Sequence, residues 1–202
     1  MKARISEIFQ SIQGEGPYAG VRQVFIRFFE CHMHCSWCDT PDSIGDGRRE
    51  YKEYSAQELF KAIKPLMKGC HSVSFTGGEP LLQAEFIKEF IPLLKASKLK
   101  MYLETSGVLY EGLKKIISDV DIVAMDIKLP SSTQCRALWK EHEKFLKIAR
   151  MRGGNGQSDG ISERDGDAQI PAHVIQKFFG SGIAKRTDGS SAIVKRTCVT
   201  GS

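Results

Sequence analysis

Three cysteines fall within eight residues in the run Cys31-His32-Met33-His34-Cys35-Ser36-Trp37-Cys38-Asp39-Thr40. Thiolates at this CxxxCxxC spacing form a metal site. A cubic iron-sulfur cluster has four irons, and ligation by three thiolates leaves one iron open to a further ligand. A structural zinc ion instead needs a fourth protein ligand, and His32, His34 or the more distant His71 could supply it. Spacing alone leaves both readings open.

Further groups with chemical potential punctuate the chain. Gly77-Gly78-Glu79-Pro80 offers two residues without side chains, where backbone can approach a ligand closely, followed by a carboxylate and a rigid turn. An amino group would suit it, although a plain strand-to-helix turn uses similar residues. Near the N-terminus, Gln13 presents amide donors and an acceptor, Gly14 admits backbone, and Glu15 accepts hydrogen bonds. That set matches a heterocycle with amide and amino edges. Arg27 could hold a carboxylate bidentately. Taken singly, these residues also fit a solvated loop and a snorkelling strand arginine.

The elements that must position these groups are legible in outline. Val21 to Phe29 is rich in β-branched and aromatic residues, as a largely buried strand requires, and runs directly into the cysteine loop. Ser55-Ala56-Gln57-Glu58 is a capping-box pattern, with Leu59, Ile63, Leu66 and Met67 at helical spacing up to about Lys68. Val73 and Phe75 mark a short strand. A helix follows through Phe86, Phe90, Leu93 and Leu94, in which Pro92 is a potential kink. Leu99, Met101 and Leu103 alternate as a strand, Leu109 to Ile117 suggests a helix, and Ile122 to Ile127 is an apolar strand. Trp139 to Arg150 reads as a further helix that Ser131, Ser132 or Thr133 could start. This alternation predicts an α/β fold of βαβ units with a parallel sheet, either open or curled into part of a barrel. The cysteine loop, Thr76 to Pro80, Glu104-Thr105-Ser106-Gly107 and Asp126-Ile127-Lys128 all come at strand ends. Parallel strands place them on one edge, where active sites of such folds lie.

The 202 residues, 41% hydrophobic and 26% charged, suit one globular domain with a sizeable core. No apolar run approaches the roughly 18 residues of a membrane span, and Met1-Lys2-Ala3-Arg4 does not lead into an apolar signal region. A cytoplasmic location is expected. In that reducing compartment six cysteines argue for metal ligation over disulfides, with Cys70, Cys135 and Cys198 read as isolated free thiols. The net charge of +5 is spread without a basic run, which argues against nucleic acid as a partner. After about Met151 the sequence turns glycine-, serine- and charge-rich, and Ile170 to Phe179 could form at most one short element. We therefore expect a domain over residues 1–150 and an atypical, poorly ordered tail over 151–202.

With the cysteine spacing and Gly-Gly-Glu-Pro together, the sequence resembles the radical S-adenosylmethionine (SAM) superfamily. The resemblance implies a partial (β/α) barrel, here incomplete at its C-terminus. It implies that Cys31, Cys35 and Cys38 hold a 4Fe-4S cluster whose open iron takes the amino and carboxylate groups of SAM. Gly77, Gly78, Glu79 and Pro80 would meet the methionine amino group, Glu104 and Ser106 the ribose. Trp37, Cys38 and Asp39 would flank the cofactor from the cysteine loop. Asp126 and Lys128 would complete that side, Lys128 reaching the SAM carboxylate or the substrate. Reductive cleavage of SAM to methionine and a 5'-deoxyadenosyl radical is the implied chemistry.

Within the superfamily, Phe9 to Gly20 with Arg27 and Cys38-Asp39-Thr40 resembles the 7-carboxy-7-deazaguanine synthases of 7-deazapurine (queuosine) biosynthesis. Those lyases convert 6-carboxy-5,6,7,8-tetrahydropterin to 7-carboxy-7-deazaguanine and ammonia. The match implies that Ile12, Gln13, Gly14, Glu15, Arg27 and Thr76 hold the pterin and that Thr40 ligates Mg2+. It further implies a homodimer served by a reductant protein such as flavodoxin. It covers about residues 5 to 135. Beyond Met151 the family's later strand and helix units have no counterpart, which suggests a shifted reading frame. A glycyl-radical activating enzyme shares the cysteine spacing, Gly-Gly-Glu-Pro and an Asp-x-Lys strand end, and a zinc-stabilised binding module is the non-catalytic alternative.

Overall fold

Alternation along Gln23-Val24-Phe25-Ile26-Arg27-Phe28 gives this strand two unlike faces. Val24, Ile26 and Phe28 are fully buried in the main core, whereas Gln23, Phe25 and Arg27 point to the other side of the sheet. In the computed structural model the described residues are 1–36, 38–45, 51–151, 174–178, 184–185 and 191–192.

The strands are β1 (Lys2–Ile12), β2 (Arg22–Phe28), β3 (Lys52–Ser55), β4 (Ser72–Gly77), β5 (Lys100–Thr105), β6 (Ile122–Ile127) and β7 (Val174–Phe178). The helices are α1 (Ala56–Ile63), α2 (Ala84–Lys95), α3 (Tyr110–Ile116), the single turn α4 (Pro130–Thr133) and α5 (Trp139–Met151). One sheet runs in the order β3-β1-β2-β4-β5-β6-β7. From β2 to β7 every pairing is parallel, and β1 is antiparallel to both β2 and β3.

Helices α1, α2, α3 and α5 all pack on one face of this sheet. Leu59, Phe90, Leu113 and Phe145, one from each, share a single core with Ile26, Phe75, Leu103 and Val123 from the strands. Phe75 is its hub, meeting Phe28 and Phe90 edge-on at 6.3 Å each, contacts worth about 0.5–1.5 kcal/mol apiece beyond their burial. Right-handed crossovers that leave every helix on one side build a barrel wall, whereas a doubly wound open sheet carries helices on both faces. The sheet is therefore the partial-barrel form. Its uncovered face carries Gln23, Thr76, Glu104 and Asp126 at the positions alternating with the core residues.

Several expectations hold in detail. Ser55 caps α1 with the reciprocal capping box, its Oγ accepting from Glu58 N and its N donating to Glu58 Oε2 at 2.8 Å. β6 spans the predicted Ile122–Ile127, and α2 continues through Pro92 without ending there. Others need correction. Neither β1 nor β3 is signalled by an apolar run. Ala3 and Ile5 are buried while their neighbours are not, and a bulge between Ile5 and Glu7 breaks the alternation. Residues 131–133 do not start α5. They form α4, which ends at the left-handed Gln134, and Thr133 Oγ1 donates back to Leu129 O at 3.0 Å. The tail reading falls mostly outside the described residues, as does Cys198; within the tail, Val174–Phe178 extends the sheet beside β6.

Candidate functional site

At the C-terminal edge of the parallel strands, the loops enclose a cavity of about 380 Å3, within the ordinary size of a small-molecule site. The cysteine loop after β2 contributes Cys31, Cys35, Cys38, Asp39 and Thr40 to its wall. Thr76, Gly77 and Gly78 come from the end of β4, Glu104 and Ser106 from β5, and Asp126 and Lys128 from β6. From the other side, Ile12 to Glu15 and Arg27 close on the same space. The two halves of the predicted site, one from the cysteine loop and strand ends and one from the N-terminal segment, thus meet in one cavity. Trp37 lies outside the described residues.

Backbone hydrogen bonds lock the start of the cysteine loop onto Gly-Gly-Glu-Pro. Gly78 N donates to Phe28 O at 3.0 Å and Glu79 N to Glu30 O at 2.8 Å, while Glu30 N donates to Ser43 O at 2.7 Å. Glu30 takes the left-handed conformation (φ 84°) to make this turn. A Cβ at Gly78 would stand 2.2 Å from Glu30 O, so only glycine permits the approach. Arg4 pairs with the Glu30 carboxylate and ties β1 to the same junction.

Glu79 occupies a different place from the one its motif suggests. It is fully buried and does not line the cavity. Its carboxylate accepts from Thr105 Oγ1 at 2.9 Å, Ser106 Oγ at 2.6 Å, Ser106 N at 2.9 Å and Leu81 N at 3.1 Å. Saturation by four donor groups is what a buried carboxylate needs, and it makes Glu79 the brace between the β4 and β5 loops. Ser106 faces the cavity but already donates its hydroxyl to Glu79. Thr105, absent from the sequence-predicted site, completes the brace; its signal was only its place inside Glu104-Thr105-Ser106.

Gln13 is buried, and its Nε2 donates to Glu104 Oε1 at 2.7 Å and to Gln23 Oε1 at 3.2 Å. Its Oε1 accepts from Glu15 N at 3.2 Å, and Thr76 Oγ1 donates to Glu104 Oε2 at 2.6 Å. Arg27 Nε donates to Glu7 Oε2 at 2.6 Å, and its guanidinium stands 5.7 Å over the Phe9 ring, itself stacked on Phe25 at 5.0 Å. Lys128 Nζ donates to Asp126 Oδ2 at 3.1 Å. Burial opposes the ammonium charge of Lys128, but Asp126 outweighs it and raises the pKa.

Burial pushes the Cys31 thiol up to about 12, with Glu79 and the other two cysteines adding to the effect against the Met33 backbone amide. Cys35 is also raised by burial, against the opposing charge of Lys128. Such thiols ionise readily only when a cationic centre binds them. Three free thiols on one cavity wall, beside glycine backbone and an ammonium group, fit a cluster with an open coordination position. The zinc alternative loses its distant ligand: His71 precedes β4, so it sits at the opposite end of the strand from the cysteine loop, against Ser72 Oγ (3.1 Å) and Tyr18. His32 and His34 are exposed. Cys135 is not isolated as expected; it packs with Cys31 and Cys35 around Met33, Val108 and Leu138. Cys70 is a free thiol donating to Leu66 O. Thr40 lines the cavity with its Oγ1 3.9 Å from Cys38 Sγ.

Comparison with known proteins agrees with this geometry. The Radical SAM superfamily profile matches residues 25–161. A 7-carboxy-7-deazaguanine synthase from Geobacter sulfurreducens is 39% identical over 167 residues, covering 74% of this chain and 66% of the relative. The synthase from Methanothermobacter thermautotrophicus is 43% identical over 130 residues, covering 64% and 51%. The chain thus spans between about half and two thirds of the length of these relatives. The crystal structure of QueE from Escherichia coli superposes with a TM-score of 0.53 at 20% identity, covering 81% of this chain and 85% of that one, a likeness of fold. With the profile matching more than half of the chain and the thiols, strand ends and helix placement all in accord, this chain belongs to the radical SAM superfamily.

Proposed function

We propose that the protein is a radical SAM lyase that converts 6-carboxy-5,6,7,8-tetrahydropterin to 7-carboxy-7-deazaguanine and ammonia. The observation that carries the reading is the hydrogen bond from Gln13 to Glu104, which seats the N-terminal segment in the same cavity as the three cysteines. The curated relatives named as this synthase support it.

In this reading Cys31, Cys35 and Cys38 would hold a 4Fe-4S cluster, and Gly77, Gly78 and Lys128, on the same cavity wall, would meet SAM. When bound, the cluster and SAM supply one-electron reductive cleavage and so a carbon radical able to abstract hydrogen. The chain's own groups bind and orient. The polar set Gln13, Thr76 and Glu104 faces the amide and amino edges of a pterin, and Arg27 offers its guanidinium to the carboxylate. Phe9 and Phe25 give that end an apolar wall. Asp39 and Glu15 line the same cavity, and Thr40, on its wall as well, would ligate Mg2+. Glu79 acts from behind, as a brace rather than a ligand to SAM.

We further propose a cytoplasmic homodimer reduced by a flavodoxin-like protein. No helix among the described residues is long and apolar enough to cross a membrane. For residues 151–202 a shifted reading frame is proposed: a family-like continuation in another frame of the gene would support it, and an uninterrupted gene with the same tail in close relatives would overturn it.

The direct test is anaerobic reconstitution with iron and sulfide, then addition of SAM, dithionite, Mg2+ and 6-carboxytetrahydropterin. Mass detection of 7-carboxy-7-deazaguanine is the expected result. A fully loaded cluster that cleaves SAM without forming that product would overturn the substrate assignment.

A further inference from the structure

His142, in the first turn of α5, is a buried histidine with 3% exposure that the proposed function does not use. Its two ring nitrogens reach two different loops of the cavity edge. Nδ1 lies 2.9 Å from the carbonyl oxygen of Gly107, and the backbone N of Lys128 lies 3.2 Å from Nε2. A carbonyl oxygen can only accept and an amide N–H can only donate. Both bonds therefore form with one species, the neutral imidazole carrying its proton on Nδ1. Burial lowers the His142 pKa, which favours that neutral form.

The two loops it joins carry groups on the cavity wall. Gly107, in a left-handed conformation (φ 68°), directly follows Ser106, and Lys128 directly follows β6 with its ammonium held by Asp126. Lys128 N comes two residues after Asp126, so fixing that amide fixes where the short tether of the ion pair begins. We infer that His142 is a positioning residue: by bridging Gly107 O and Lys128 N it sets the β5 and β6 loops relative to one another and so the place of the Lys128 ammonium in the cavity. The consequence for SAM rests on the proposed function, in which Lys128 would meet SAM.

The test uses the full chain with His142→Gln, His142→Asn and His142→Leu. Glutamine can bring an acceptor near the Nε2 position, asparagine reaches only near Nδ1, and leucine fills space without either bond. In the metal-free protein, imidazole 15N spectra are expected to show His142 with its proton on Nδ1. Hydrogen exchange at the Lys128 amide is expected to quicken by about tenfold or more in the Asn and Leu variants and to be largely restored in Gln. A proton on Nε2, or Lys128 exchange that is equal in all four proteins or follows only their melting temperatures, would overturn the assignment. In cluster-loaded protein, SAM affinity should follow the same order. Amide protection that follows the order in a protein unable to bind SAM would refute the proposed function while leaving the role of His142 standing.

Discussion

Gln13 Nε2 and Glu104 Oε1 are 2.7 Å apart across 91 residues of sequence, joining the end of β1 to the end of β5. Glu104 also accepts from Thr76, so one carboxylate gathers donors from the N-terminal segment and from the strand that leads into Gly-Gly-Glu-Pro. The N-terminal segment is thereby registered against the strand ends that carry Thr76 and Glu104.

This registration predicts how Glu104→Gln and Gln13→Leu behave. Replacing the carboxylate with an amide turns one acceptor into a donor facing Gln13 or Thr76, and Leu at position 13 strips Glu104 and Gln23 of a partner. A buried polar group left unsatisfied costs about 1–3 kcal/mol, or roughly five- to a hundred-and-fifty-fold in an equilibrium constant. Pterin affinity should fall by that factor in both variants while the iron content of the reconstituted protein stays at wild-type level. Calorimetric titration with the substrate and iron analysis check the two halves of the expectation.

The Glu79 brace predicts a stability effect separable from ligand binding. Thr105→Val removes the hydroxyl that donates to Oε1 at 2.9 Å, and Ser106→Ala removes the 2.6 Å bond to Oε2. Hydrogen bonds to a charged acceptor contribute about 1.5–3 kcal/mol each, and here the acceptor is fully buried. Both variants should unfold at lower urea concentration than the wild type. The two effects should be non-additive in the double variant because they share one carboxylate.

Burial of Cys31 gives the metal-free protein a specific pH dependence. Its thiol is raised from 9.0 to about 12, so the folded chain keeps the proton through a range in which the unfolded chain releases it. The unfolded state then binds fewer protons, and stability falls as pH rises from about 9 towards 12, by at most ~1.4 kcal/mol per pH unit from this group. Below pH 9 both states are protonated and the stabilisation is fully present. Urea midpoints of metal-free wild type between pH 8 and 10.5 should decline more steeply than those of Cys31→Ala. Equal slopes would show that the thiol is better solvated than its position in the cavity wall indicates.

What the sequence made legible was the chemistry that residue type and strand-end position carry together. Cys31, Cys35 and Cys38, Gly77 and Gly78, and Asp126 and Lys128 each end or follow a strand whose apolar pattern is plain, so parallel topology alone brings them to one edge. Relationships made across strands were not legible. Glu79 stands in a motif that suggests a ligand contact, and only the placement of Thr105 and Ser106, 26 and 27 residues onward, turns it inward. His142 had no signal, since a single histidine in the first turn of a helix is ordinary and its two partners are backbone atoms. β1 was hidden because only Ala3 and Ile5 of its first residues are buried and a bulge interrupts the period.

Arg27 provides the clearest separation between charge and geometry. Its Nε is held by Glu7 at 2.6 Å, and its guanidinium plane lies over Phe9, so the side chain is fixed at both its polar and its apolar surface. Lysine keeps the positive charge but has neither the Nε–H that Glu7 engages nor a planar fork to set against a carboxylate. Arg27→Lys should therefore retain the cluster and SAM affinity and raise KM for the carboxylated pterin about tenfold, the ~1.4 kcal/mol expected of one lost charge-assisted hydrogen bond. A pterin lacking the carboxylate should bind the wild type and Arg27→Lys with similar affinity, because Arg27 then has no anion to read. Titrating both proteins with both ligands makes a double cycle whose coupling isolates the arginine–carboxylate contact. Zero coupling would mean that Arg27 serves only to pin β1 to β2 through Glu7.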